Sequence, residues 1–336
     1  MSAATLLPVW LCACIASAAS CGDLERSFWI SLTLTPAAKG YWTMDPGAAD
    51  VPAPKSDEIA RACDLLTRTY HANRLYLVYH KQCPEATARD LMLCWRRAAA
   101  GTAELVPTFV PMDYSAGPAS GAPVFTEAEL AAWSSWCEEV MAAPAIALYD
   151  VYPRRPWDWA VEALRSGSSL PVGWVGTQPE EPCREGLSFV VVDTWGGISA
   201  YRSNADWESR GRGLVERWAR APRPGVRAVF DLIAVAWDYD YSGDGGAAPP
   251  YDDERDDPLP AGRNQLAART VRAVCPAEAF GGFSSDLLVL DAHTRLHGED
   301  LYGDLRTGTR YRGMFAEPLD EIGRIYEALG DERQST

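Results

Sequence analysis

LSFVVVD, residues 187–193, is a short apolar run that stops on an acid. It is too short for a core helix and suits a strand buried on both faces. Seven similar runs lie along the chain: FWISLTLT (28–35), RLYLVYH (74–80), ELVPTFVPM (104–112), AIALYD (145–150), PVGWV (171–175), VRAVFDLIAV (226–235) and DLLVLD (286–291). Several end on, or just before, a polar group: His80, Asp113, Asp150, Asp193 and Asp291. Helix-like stretches follow most of them, over 56–70, 84–100, 126–141, 156–164, 206–221, 263–274 and 318–329. Strand and helix in alternation predict an α/β fold of the (β/α)8 barrel type. In such a barrel the C-terminal strand ends meet at one mouth, so acids far apart in sequence become neighbours.

Local signals agree with this rhythm. Thr126 and Glu129 have capping-box spacing, and Pro84 stands at the first position of its helix. Leu319, Ile322, Ile325, Tyr326 and Leu329 form a helical stripe fit to dock on the barrel. One place departs. TQPEEPCREG, residues 177–186, separates the fifth and sixth runs with loop chemistry, so the fifth helix is expected to be degenerate. A distorted open α/β sheet is the alternative.

The chain has 336 residues, 47% of them apolar, and a formal net charge of −15. That length holds one barrel of about 250 residues with a leader and long loops. An acidic chain with no basic cluster argues against nucleic-acid binding. Residues 5–19, TLLPVWLCACIASAA, are apolar and uncharged, as in a targeting leader, although no Lys or Arg precedes them. Two cleavage sites are present. Ala16-Ser17-Ala18 is an A-x-A site, and Ala18-Ala19-Ser20-Cys21 is similar to a bacterial lipobox, with Cys21 the lipidated residue. The expected organisation is a leader over 1–21 and one barrel domain over 22–336. The expected location is outside the cytoplasm, secreted or lipid-anchored, with the membrane met only through the anchor. Beyond the leader and Cys21, Cys63, Cys83, Cys94, Cys137, Cys183 and Cys275 include no C-x-x-C, so a structural zinc site is not indicated. Buried thiols or one or two disulfides are the alternatives.

Two loops stand out: the Pro/Gly-rich 115–124 and the acidic 237–262. On the barrel both lie at the mouth. Asp238, Asp240, Ser242 and Asp244 with Gly243 follow the first half of an EF-hand loop, but Pro249 replaces the closing Glu. The alternatives are a looser structural calcium site, completed by Asp252, Asp253 or Glu254, and a solvated acidic loop.

The chemistry candidates are the strand-end acids. Cleaving a glycosidic bond needs one protonated and one ionised carboxyl flanking it. Asp150 ends the fourth strand and Asp193 the sixth, with Asp113, Asp238 and Asp291 in reserve. Each also suits helix or loop capping. Tryptophans at or just after strand ends, chiefly Trp174, Trp195 and Trp237, offer flat apolar faces with a polar edge, which suit sugar rings. His80 suits a bond to a substrate hydroxyl or a strand cap. With Asp291 and His293 it could instead bind a metal.

An Asp ending strand four and another ending strand six resembles retaining α-glycosidases of the α-galactosidase type. The resemblance implies Asp150 as nucleophile and Asp193 as acid/base. ALYDVY lacks the Lys-Tyr-Asp signature common there, and the retaining Glu pair of strands four and seven found in other barrel glycosidases is absent. No G-x-S-x-G elbow, phosphate-binding loop or dinucleotide motif is present. The expectation is a glycoside hydrolase that needs no cofactor and acts on an extracytoplasmic carbohydrate. The alternatives are a non-catalytic glycan-binding barrel and a metal-dependent hydrolase.

Overall fold

The computed structural model describes residues 24–32, 54–81, 83–111, 123–149, 158–177, 186–198, 201, 203–222, 225–233, 259–287 and 312–331. Eight parallel strands run through them in chain order: β1 (Glu25–Ser31), β2 (Arg74–Tyr79), β3 (Glu104–Phe109), β4 (Ile146–Tyr149), β5 (Val172–Thr177), β6 (Phe189–Val192), β7 (Arg227–Leu232) and β8 (Phe280–Asp286). β8 pairs back onto β1 and closes the barrel. The described helices are α1 (Ser56–Asp64), α2 (Glu85–Ala98), α3 (Glu127–Glu139), α4 (Asp158–Gly167), the short α5 (Trp195–Ile198), α6 (Asn204–Asp206), α7 (Arg212–Arg220), α8 (Arg263–Val274) and α9 (Arg312–Asp331). A π-helical turn, Leu65–Thr69, follows α1, and a second, Trp207–Gly211, joins α6 to α7. The described residues between β5 and β6, 186–188, contain no helix. No described helix is long and apolar enough to cross a membrane.

Side chains alternate across each strand. On β1, Phe28 faces the helices, its ring 5.4 Å from Tyr326 of α9. Trp29 faces inward, 5.5 Å from Tyr149 of β4 and 6.3 Å from Tyr76 of β2. Tyr76 lies 6.3 Å from Phe189 of β6, so aromatic rings cross the interior. Gly173 of β5 leaves room for the Phe189 ring, which a Cβ there would strike. Outside, Tyr79 and Phe109 pack on Trp133 of α3 at 5.0 and 5.6 Å. Each large apolar side chain so buried contributes about 1.5–3 kcal/mol.

The eighth strand is a correction. The sequence favours DLLVLD at 286–291, but the structure uses FGGFSSD and ends the strand at Asp286. The reason is space rather than hydrophobicity. Gly282, at φ +128°, passes so close to Glu25 that a Cβ would collide with the Glu25 backbone. Ser284 and Ser285 are small enough to be fully buried. Leu287 ends the described segment, its N–H donating to Trp29 O at 3.1 Å.

The strand starts close the barrel's N-terminal end with a polar cluster. Glu25, on β1, accepts from Arg74 Nη1 at 2.6 Å, Tyr76 Oη at 2.6 Å and Ser27 Oγ at 2.8 Å. Arg74 also reaches Glu104 on β3 at 2.6 Å. Burial opposes the Arg74 charge most strongly, but Glu25, Tyr76 and Glu104 together outweigh it and keep the guanidinium pKa above its ordinary value. Burial, then Glu25, pushes Tyr76 well up. The cluster bolts together the first three strands. α9 adds a latch, since Tyr326 Oη donates to Ser27 O at 2.7 Å. Among the described residues Cys63, Cys94, Cys137 and Cys275 are free thiols.

Candidate functional site

The two barrel ends differ in the chain they carry. Helices return to strands through 70–73, 99–103, 140–145, 168–171, 221–226 and 275–279. Strands leave through 32–55, 80–84, 110–126, 150–157, 193–194, 233–262 and 287–311, and 178–188 joins β5 directly to β6. Long connections on the C-terminal side are where barrels of this kind hold their sites.

Trp29 and the last residue of β4, Tyr149, form an aromatic floor under that mouth. Asp193 follows β6 directly and is half-buried. One step past the Val192↔Phe230 pair, it stands level with Asp231 of β7. Asp231 is fully buried and shares the inward parity of Val229. The Thr194 hydroxyl donates to the Asp231 carbonyl and ties the two strand ends together. Asp231 pairs in turn with Ser284, and Ser284 with Ser27. An inward polar row thus runs from β6 through β7 and β8 to β1.

α8 anchors the segments that carry this row. Buried Arg263 donates to the carbonyls of Ile198 at 2.5 Å and Tyr201 at 2.8 Å, and to Asn204 Oδ1 at 3.0 Å. Its bonds run to neutral groups, and burial pushes its pKa down to about 10. Asn264 holds both backbone groups of Ile233, accepting from N at 3.0 Å and donating to O at 2.8 Å. The α8 N-terminus is itself capped from α9, where Glu321 accepts from Gln265 N at 2.9 Å. The ends of α5 and β7 are therefore pinned to one helix.

The sequence candidates fall unevenly on this frame. Asp193 stands at the mouth. His80 follows β2, half-buried, and burial pushes its imidazole down to about 3. It is neutral at physiological pH, which suits a hydrogen-bonding role. Trp174 departs from expectation. It pairs with Leu148 and Val190, on the opposite parity from inward Gly173 and Val175, and is buried in the layer between sheet and helices. A strand-end Trp reaches the mouth only on the inward parity, and Trp174 is on the other. Trp195 opens α5, with its side chain outside the described residues. Asp113, Asp150, Trp237, Asp291, Cys21 and the loop group Asp238, Asp240, Ser242 and Asp244 also lie outside them. Among the described residues no group of three or more His, Cys, Asp or Glu is arranged to hold a metal.

Asp231 and Ser284 escaped the sequence reading. A signal for Asp231 was present, an acid within the apolar run VRAVFDLIAV at the parity of Val229. Ser284 was hidden by the misplaced eighth strand.

No family model matches the chain, and no curated protein matches it in sequence. Among solved structures it is similar to N-acetylneuraminate lyase from Mycoplasma synoviae, with a TM-score of 0.41 and 9% identity over 91% of this chain and 80% of that one. It is also similar to AmyP in complex with maltose, with a TM-score of 0.40 and 11% identity over 93% and 79%. A third is the malate synthase of Haloferax volcanii, with a TM-score of 0.37 and 12% identity over 91% and 89%.

Proposed function

We propose that this barrel hydrolyses glycosidic bonds at its C-terminal mouth, with Asp193 as acid/base and Asp150, which follows β4, as the partner carboxylate. The observation that carries the reading is the position of Asp193, half-buried at the end of β6 and level with buried Asp231 on β7. A general acid has to be reached by the leaving group yet be partly withdrawn from water. The Trp29–Tyr149 floor supports a sugar substrate, because its rings offer apolar faces to sugar C–H groups. Neutral His80 adds a hydrogen-bonding group at the rim. The leader over residues 1–21 supports work outside the cytoplasm, with the protein secreted or anchored through lipid on Cys21.

The test is digestion of a panel of polysaccharides and aryl glycosides, with products read by mass, by the wild type, Asp193→Asn and Asp150→Asn. The reading expects product from the wild type and loss of at least a hundredfold in Asp193→Asn. Equal product from Asp193→Asn would move the chemistry to another acid. Absence of product from the folded wild type across the panel would contradict hydrolysis. The mass of the mature N-terminus tests the anchor, since diacylglycerol on Cys21 is the expected result.

A further inference from the structure

We propose that the N-terminal end of the barrel is a bilayer-facing surface, which rests on anionic phospholipid headgroups and turns the mouth away from the membrane. The inference rests on the anchor reading for Cys21 and adds an orientation and a lipid class.

The turns at this end differ from the rest of the chain. They read YHAN (70–73), AAGTA (99–103), VMAAPA (140–145), SSLP (168–171), APRPGV (221–226) and CPAEA (275–279). Their charged residues are Arg223 and Glu278 alone, although 23% of the whole chain is charged. Val140, the one exposed large apolar side chain among the described residues, stands in the third of them.

A rim of arginine runs around this charge-poor base. Arg68 lies in the last turn of the helical segment before β2, Arg96 and Arg97 in that of α2, Arg165 in that of α4, Arg220 in that of α7 and Arg272 in that of α8. All six are exposed. No run of the sequence shows this cluster, because the fold gathers it from separate helices. The rim breaks at α3, which ends on Glu138 and Glu139. Arg68 and Arg220 pair with Asp64 and Glu216 along their own helices, each at 2.9 Å. Exposed pairs of that kind are weak, so the guanidinium can change partner. Helix dipoles favour arginine in a last turn but do not account for the scarcity of charge in the turns between.

Charge and anchor agree on the orientation. On the mouth side, 237–262 carries eight acids and one arginine. An anionic leaflet therefore repels the mouth and attracts the rim. The small, uncharged turns inside the rim can approach headgroups without stripping water from charges. Cys21 precedes Glu25, the first residue of β1, by four residues, at most about 14 Å of chain. β1 starts at this end, so lipid on Cys21 brings this end to the bilayer.

The experiment uses the full chain expressed and processed in bacteria, with the mass of its N-terminus measured first. The lipidated protein is placed in vesicles of phosphatidylcholine, alone or mixed with phosphatidylglycerol. A fluorophore is attached at Ala277→Cys on the base or at Glu127→Cys at the mouth-side start of α3, with labelled wild type as background for native thiols. Energy transfer to a headgroup-labelled lipid is compared. The expected transfer is at least threefold greater from position 277, and the difference should shrink in the double variant Arg96→Gln/Arg165→Gln and at high salt. Equal transfer from both positions, greater transfer from position 127, or a difference untouched by the double variant would overturn the proposal while leaving the anchor in place. A mass without diacylglycerol would instead sink the anchor reading, and the surface is then judged by co-sedimentation of that chain with the same vesicles. Binding to phosphatidylglycerol vesicles that falls about tenfold in the double variant would support the surface. No binding, or binding equal in both proteins, would overturn it.

Discussion

The two ends of this barrel put the same kinds of side chain to opposite uses. At the N-terminal end, Glu25, Ser27, Arg74 and Tyr76 satisfy one another within 2.6–2.8 Å and join the first strands. Towards the C-terminal end, Trp29 keeps its indole N–H without a partner among the described residues, and Asp193 stands half-exposed. A buried polar network whose members are all paired holds structure together. The connections differ as well: short turns close the N-terminal end, and the long segments leave from the C-terminal one, where only the exits of β2 and β6 are short.

Mutations that separate the two ends test this division. The largest effect belongs to Asp193→Asn, expected to lower turnover about 10²–10⁴-fold, the usual worth of a general acid. Its melting temperature should stay close to wild type, and a circular-dichroism melt checks this. Next is Glu25→Ala, which takes the acceptor from buried Tyr76 and Ser27 and leaves Arg74 only the exposed Glu104. It should cost about 3–5 kcal/mol in urea unfolding. Any folded Glu25→Ala protein should retain wild-type KM, because the cluster lies at the other end.

Asn264→Ala sharpens the comparison from the mouth side. It leaves both backbone groups of Ile233 without their side-chain partner and should cost about 1–3 kcal/mol. Because Asn264 pins the β7 end, kcat should fall along with stability, whereas Glu25→Ala changes stability alone. The last effect is a dependence on pH. His80 titrates near 3 in the folded chain and near its ordinary 6.5 when unfolded. Between those values the unfolded chain binds the extra proton, so stability rises with pH through that window and levels off above 6.5. Urea midpoints of the wild type should show this slope, and His80→Gln should flatten it.

Much of this frame was legible in the sequence. Seven of the eight strands lie where apolar runs sit, because a parallel strand covered on both faces must be apolar throughout. The capping box at Thr126 and Glu129 formed as its spacing predicts, with Glu129 N donating to Thr126 Oγ1 at 3.2 Å and Thr126 N to Glu129 Oε2 at 2.7 Å. The eighth strand misled because closure against β1 selects small residues, Gly282 and Ser284, over the more hydrophobic DLLVLD. Glu25 was hidden for a related reason. It precedes the apolar run FWISLTLT, and its buried role depends on Arg74 and Tyr76, which only the folded sheet brings to it. Trp174 shows the limit of position without parity, since one residue's shift decides between the mouth and the helix layer. Asp193 was found because a strand-end acid is visible in one dimension. Its neighbour Asp231 required the register of β6 on β7.

The claim that the open end is the working end, with Asp193 its acid, is tested most directly by comparing leaving groups. A glycan cleaved by the wild type would be measured beside the nitrophenyl glycoside of the same sugar, each with Asp193→Asn. The account predicts loss of at least a hundredfold on the glycan and a far smaller loss on the nitrophenyl glycoside, whose leaving group departs without a proton. Equal turnover of the glycan by the wild type and Asp193→Asn would contradict it.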